Sequence, residues 1–194
     1  MMRCELGEVL TAMVTPMKQN GEVDYEAVEK LAEHLANNGS DAIVVCGTTG
    51  EAPTLSFSEE LEILSSVKRA VNGKAKVIFG AGSNCTDTAV RSTKNACKEG
   101  IDGILSVVPY YNKPSQAGMY EHFSAVAKAS EAPVILYNIP SRTGVNMAPE
   151  TVAKLANEFS NIVALKQSSP DMDTISELKI KCPKDFVIDS GDDI

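Results

Sequence analysis

Residues 161–170 read NIVALKQSSP, a short apolar run that ends in a lysine. Ile162 to Leu165 suit the middle of a strand covered on both faces, where an ammonium group is costly to bury. Lys166 therefore falls where the strand leaves the core. A free lysine, with a pKa of about 10.4, is neutral in only about one molecule in two thousand at pH 7. Desolvation at such a strand end lowers that pKa, and the neutral amine can then attack a carbonyl to form a Schiff base. The plain alternative is a lysine that snorkels to solvent from the strand end.

Two other stretches bear on that choice. GTTGE at 47–51 can offer backbone N–H groups and the hydroxyls of Thr48 and Thr49 to an anion without a cationic side chain. A purely structural turn would also account for its glycines. Tyr137 ends the apolar run of PVILYNIP (133–140), and its hydroxyl needs a partner wherever it is buried.

Such residues are useful only if regular elements bring them to one place. Short Val- and Ile-rich runs predict strands at 9–15, 41–47, 76–82, 102–109, 133–140, 161–166 and 185–191. They are nearly continuous rather than alternating, so both faces should be covered. Amphipathic stretches lie between them. Asp24 caps a helix with Val28, Leu31, Ala32 and Leu35 on one stripe, closed by Gly39. Ser58 opens the next, with Glu59 and Glu60 in its first turn and Gly73 at its end. A third runs from Thr86 to Gly100, a fourth over 115–130, a fifth begins at Pro149, and a sixth covers 171–181.

Strict alternation of strand and helix predicts an α/β fold of parallel units, either an open doubly wound sheet or a (β/α) barrel. The fingerprint G-x-G-x-x-G is missing after the first strand, and GAGSNC (80–85) holds only G-x-G. In both folds ligands bind at the carboxyl ends of the strands. Those ends carry Thr15, Thr48 and Thr49, Ser83 and Asn84, Tyr110 and Tyr111, Tyr137 and Asn138, Lys166, and Ser190 to Asp193. Hydroxyls, tyrosines and one lysine suit lysine chemistry better than hydrolysis.

The composition narrows the class. The 194 residues, 43% hydrophobic and 23% charged, predict a single soluble domain spanning 1–194. A net charge of -8, with no basic run longer than two residues, argues against nucleic-acid or anionic-membrane partners. Cys4, Cys46, Cys85, Cys97 and Cys182 form no C-x-x-C pair, which reads as reduced thiols in the cytoplasm. His34 and His122 lie far apart, so no His/Cys metal site is expected. Glu5 and Glu8 interrupt the apolar residues at the start, which is therefore no secretory signal, and no later run approaches a membrane span.

VTPM (14–17), VCGTTGE (45–51), VPYYNKPSQAGMYEHF (108–123) and ILYNIPSRTG (135–144) closely resemble the dihydrodipicolinate synthase family, pyruvate-dependent class I aldolases of the N-acetylneuraminate lyase superfamily. The resemblance runs over essentially the whole chain. It implies a (β/α)8, TIM-type barrel and a homo-oligomer, a dimer or a tetramer of tight dimers. It further implies a lyase of lysine and diaminopimelate biosynthesis that condenses pyruvate with aspartate semialdehyde. No cofactor is implied beyond the covalent imine with pyruvate.

Lys166 would form that imine, with the pyruvate carboxylate on Thr48 and Thr49. Tyr137 would be the acid/base group, and Thr49, Tyr137 and Tyr111 a proton relay in which Tyr111 comes from the neighbouring subunit. Arg142 would help to bind the aldehyde substrate, and Gly191 would also line the substrate site. Arg142 weighs against the sugar-acid (sialic acid or 2-keto-3-deoxy acid) lyases, which usually lack this arginine.

Two departures stand out. Gln167 replaces the acidic residue that usually follows the lysine, which on this reading removes a carboxylate near the imine. The lysine-feedback site of some members is matched at Asn84 and Tyr110 but not at Phe57, Glu60 and Thr88, which weighs against feedback. The resemblance reaches SGDD (190–193), so an incomplete barrel of about seven strands is expected, without the eighth strand and the C-terminal helices. Edges left by that loss would need covering by another chain. A non-catalytic oligomeric remnant is therefore the alternative to an enzyme.

Overall fold

The computed structural model describes residues 6–192, so Cys4, Glu5 and Asp193 lie outside the described residues. The chain divides into two compact units. The amino-terminal unit holds Leu6–Gly80 with Lys98–Gly103, and the carboxy-terminal unit holds Ala81–Cys97 with the chain from Ile104 onward.

The amino-terminal unit contains β1 (Leu10–Ala12), α1 (Tyr25–Asn37), β2 (Ala42–Val45), a 3-10 turn (Ala52–Thr54), α2 (Phe57–Val71) and β3 (Lys76–Gly80). β1 pairs with β2, and β2 with β3, all parallel. Every residue of β2 is buried, as its unbroken apolar run requires. β1 is shorter than its apolar run predicts. Met13 N still donates to Val44 O at 3.0 Å, but Val14 is exposed and the chain has left the ladder.

Side-chain caps fix the helix starts. Asp24 caps α1 by accepting from Ala27 N at 3.1 Å. The N-cap of α2 lies two residues before the expected Ser58. Ser56 is its N-cap, and the Glu59 carboxylate returns to Ser56 N at 2.7 Å, completing a capping box.

The carboxy-terminal unit carries α3 (Thr86–Lys98, except its last residue), β4 (Gly103–Val107, except its first), α4 (Gln116–Ala129), β5 (Val134–Asn138), α5 (Pro140–Thr143), α6 (Pro149–Glu158), β6 (Ile162–Gln167), α7 (Met172–Lys181) and β7 (Val187–Ser190). β4 pairs with β5, β5 with β6 and β6 with β7, again all parallel. α5 is additional to the six predicted helices. Pro140 starts it, and Gly144, in the left-handed region at φ 75°, stops it after one turn.

One irregularity in the ladder controls the site. Val134 faces Ile162 but Ile135 faces Ala164, so β6 carries one extra residue there. That shift sets Tyr137 opposite Lys166 and Asn138 opposite Gln167; in an unshifted ladder Tyr137 would face Leu165.

No disulfide joins the described cysteines, and among the described residues no group of three or more His, Cys, Asp or Glu is arranged to hold a metal. No helix among them is long and apolar enough to cross a membrane.

Candidate active site

The carboxyl end of β6 is the centre of the carboxy-terminal unit's chemistry. Ile162 to Leu165 are buried, and Lys166 is the first residue of the strand with appreciable exposure. Its ammonium nitrogen lies 4.7 Å from the centre of the Tyr137 ring on β5, within cation–π range. Tyr137 is only 7% exposed. Burial pushes its hydroxyl pKa up, the Ser168 hydroxyl and the Arg142 charge pull it down, and Asp192 adds to the rise. The net shift is upward, so Tyr137 stays a neutral phenol, able to donate a proton, across the physiological range.

Arg142 is therefore close enough for its charge to be felt at Tyr137, although α5 leaves its side chain exposed. On the far side of Lys166, Asp189 of β7 is its register partner. Desolvation raises the Asp189 carboxyl pKa and the Lys166 charge acts against that rise. Gly191 follows, with its N–H donating to Gln167 O at 2.9 Å. A Cβ there would lie 1.9 Å from Ser168 Oγ and 2.8 Å from Lys166 Cε, so only glycine fits.

Gln167 corrects an expectation. Adjacent strand residues point to opposite faces, and Gln167 is buried on the side away from Lys166, accepting from Asn138 Nδ2 at 3.0 Å. An acidic side chain at this position would point the same way, so its replacement takes no carboxylate from beside the lysine. Asn138, fully buried, also donates to Asn146 Oδ1 at 2.7 Å and accepts from Met147 N at 3.1 Å. This amide cluster ties the chain after α5 to the ends of β5 and β6, and so fixes the turn that carries Arg142.

In the amino-terminal unit, Thr48 and Thr49 occupy the turn after β2 and are exposed. The turn is built tightly. Gly50 N donates to Gly47 O at 3.1 Å and Glu51 N to Thr48 O at 3.1 Å. Cys46 and Glu51, at φ 53° and 55°, bracket it in the left-handed region that non-glycine residues rarely adopt. Thr15 Oγ1 donates to Gly50 O at 2.7 Å, anchoring it to the segment after β1. Gly80 at the end of β3 is equally constrained, since a Cβ there would sit 2.2 Å from Cys46 O.

The structure thus brings Lys166, Tyr137, Arg142 and Gly191 together in one unit and places Thr48 and Thr49 on a preformed turn in the other. Tyr111, after β4, is 89% exposed and sits in the left-handed region at φ 71°.

A family model described as the dihydrodipicolinate synthetase family matches residues 5–194. The chain belongs to the dihydrodipicolinate synthetase family. It is 57% identical over 187 residues to the 4-hydroxy-tetrahydrodipicolinate synthase of Synechococcus sp. (strain JA-2-3B'a(2-13)), covering 96% of this chain and 61% of that one. The enzyme of the same name from Microcystis aeruginosa is also 57% identical, over 188 residues, with 96% and 63% covered.

Among solved structures, the dihydrodipicolinate synthase of Cyanidioschyzon merolae with lysine bound superposes with a TM-score of 0.95 at 54% identity, covering 97% of this chain and 64% of that one. The dihydrodipicolinate synthase of Aquifex aeolicus gives 0.93 at 50% identity, with 96% and 63% covered. This chain spans about three fifths of the length of these relatives. Such close superposition on dihydrodipicolinate synthases settles the fold class as the TIM-type (β/α) barrel, to which the sequential parallel strands belong, and not the doubly wound sheet.

No motif in the sequence singles out Asp189 or the Asn138–Gln167 pair. A signal for Asp189 was present. It is a carboxylate inside the apolar run of the seventh strand, two residues before Gly191. Its place opposite Lys166 depends on strand register, which no motif encodes.

Proposed function

We propose that this chain carries the Schiff-base chemistry of a lyase that condenses pyruvate with aspartate semialdehyde in the cytoplasmic biosynthesis of diaminopimelate and lysine. The observation that carries this reading is Lys166 at the open end of a buried strand, 4.7 Å from the ring of a buried tyrosine. The relatives' shared name supports the reaction class.

The neutral Lys166 amine attacks C2 of pyruvate. A C–N bond forms as the C=O π bond opens, the nitrogen gives up a proton and the ketone oxygen takes one up, which leaves a neutral carbinolamine. The nitrogen lone pair then expels that oxygen, which leaves as water after a second protonation, and a protonated imine remains. Loss of a C3 proton gives an enamine whose C3 attacks the aldehyde carbon of the second substrate. Each step moves a proton near one nitrogen or oxygen, a task suited to Tyr137, whose raised pKa keeps it protonated between transfers.

Thr48 and Thr49 take the pyruvate carboxylate on this reading. What supports it is their exposure on a tight, locally strained turn rich in backbone donors. Arg142, exposed and electrostatically coupled to Tyr137, suits the carboxylate of the second substrate. Tyr111, exposed on this chain, is suited to donation into the site of a second copy in a homo-oligomer.

Intact mass after incubation with pyruvate and borohydride tests the reading. A reduced pyruvyl adduct is expected on the chain and absent from Lys166→Ala. A folded protein that forms no adduct, or an adduct that survives in Lys166→Ala, would overturn it.

A further inference from the structure

Lys166 has neighbours on both flanking strands. Tyr137 covers it from β5, and Asp189 is its register partner on β7. Paired residues on adjacent parallel strands share one face, and neighbouring strands run about 4.8 Å apart. Asp189 is half-buried, and Gly191, two residues on, packs so closely that an added Cβ would lie 2.8 Å from Lys166 Cε. The lysine stem is thereby held against β7, where the carboxylate is.

We propose that Asp189 is a positioning residue that serves as the counter-ion of Lys166, and so sets the pH at which this lysine becomes a nucleophile. The carboxylate also offsets the positive charge of the protonated imine, which rests on the function proposed above; its effect on the free amine does not.

The sign follows from charge. A carboxylate beside Lys166 favours the ammonium form and raises the pH needed to release the proton. Burial of the same side chain favours the neutral amine, so Asp189 limits how far desolvation lowers the pKa. The mutual coupling is visible from the other partner, since the Lys166 charge lowers the Asp189 pKa against the effect of burial. Among the described residues, the charged groups acting on Tyr137 at this face are Arg142 on α5 and Asp192 just beyond β7. Tyr137 is neutral near pH 7.

Competitive acetylation with acetic anhydride across a pH series, read by the mass of the Lys166 peptide, measures this without pyruvate. Asp189→Asn is expected to move the Lys166 labelling midpoint down by about one pH unit or more, the effect of removing an opposite charge at this range. Asp189→Glu, which keeps the charge, is expected to restore it. A thermal melt of each variant confirms that the labelled state is folded.

An unchanged midpoint in folded Asp189→Asn would overturn the inference, and so would an upward shift. If Asp189→Asn does not fold, Asp189→Ser, which also removes the charge, takes its place: a midpoint lowered by about one pH unit or more sustains the pairing, whereas an unchanged or raised midpoint ends it. A downward shift without any pyruvate adduct on the parent chain would sustain the pairing and sink the proposed function instead.

Discussion

Gly191 shows how one missing methyl group can hold a reactive side chain in place. Its backbone passes so close to Lys166 and Ser168 that alanine cannot be accommodated without displacing them. A Cβ there would lie 1.9 Å from Ser168 Oγ and 2.8 Å from Lys166 Cε, so both the serine and the lysine stem must shift. A displacement near 1 Å at a reacting group costs about a hundredfold in rate, and overpacking costs about 1–3 kcal/mol in stability. Gly191→Ala is therefore expected to slow the formation of the borohydride-trapped adduct by about a hundredfold, with only a modest loss in urea midpoint. Adduct formation at the parental rate would show that Lys166 is not positioned by β7. The importance of this glycine was partly legible in the sequence, because a family motif carries it. Asp189 was not, because its partner is fixed by a register that only pairing reveals.

At the scale of elements, local chemistry was legible wherever one residue settles a boundary. Asp24, Ser115 and Asp171 each cap the helix that follows them, and Pro149 begins its own. The α2 start was misplaced because two serines compete for it. Ser56 takes the cap because Glu59, three residues on, reaches back to its N–H; Ser58 sits inside the first turn and has no such partner at that spacing. Ser56→Ala is expected to destabilise the protein by about 1 kcal/mol in urea denaturation, with Ser58→Ala changing it by less than half as much. Equal effects would mean that the capping box does not define this helix. The one-residue shift between β5 and β6 had no such sequence marker. Alternation in NIVALK tells which residues share a face, yet nothing local tells that Tyr137 and not its neighbour meets Lys166.

Across the whole molecule, a half-buried Glu60 and a buried His122 act on stability in opposite directions. Burial raises Glu60 on α2, in the amino-terminal unit, to about 7 from an ordinary 4.5. Burial lowers His122 on α4, in the carboxy-terminal unit, to about 4 from an ordinary 6.5, while its Nδ1 lies 2.9 Å from Thr86 Oγ1. Between pH 4.5 and 7 the folded chain keeps a proton on Glu60 that the unfolded chain has released, so this term weakens stability as pH rises. Between pH 4 and 6.5 the folded chain excludes a proton from His122 that the unfolded chain accepts, so this term strengthens stability as pH rises. The two slopes overlap from pH 4.5 to 6.5 and offset each other there. Removing one should expose the other. The urea midpoint of Glu60→Gln, taken relative to the parent, is expected to climb with pH through this window, and that of His122→Gln to fall. Asp41, Glu59, Glu150 and Asp171, all held low by hydrogen bonds, titrate alike in parent and variant and drop out of the difference. Parallel midpoint curves for parent and Glu60→Gln would mean that Glu60 ionises in the folded chain as it does in water, and that α2 leaves its carboxylate solvated.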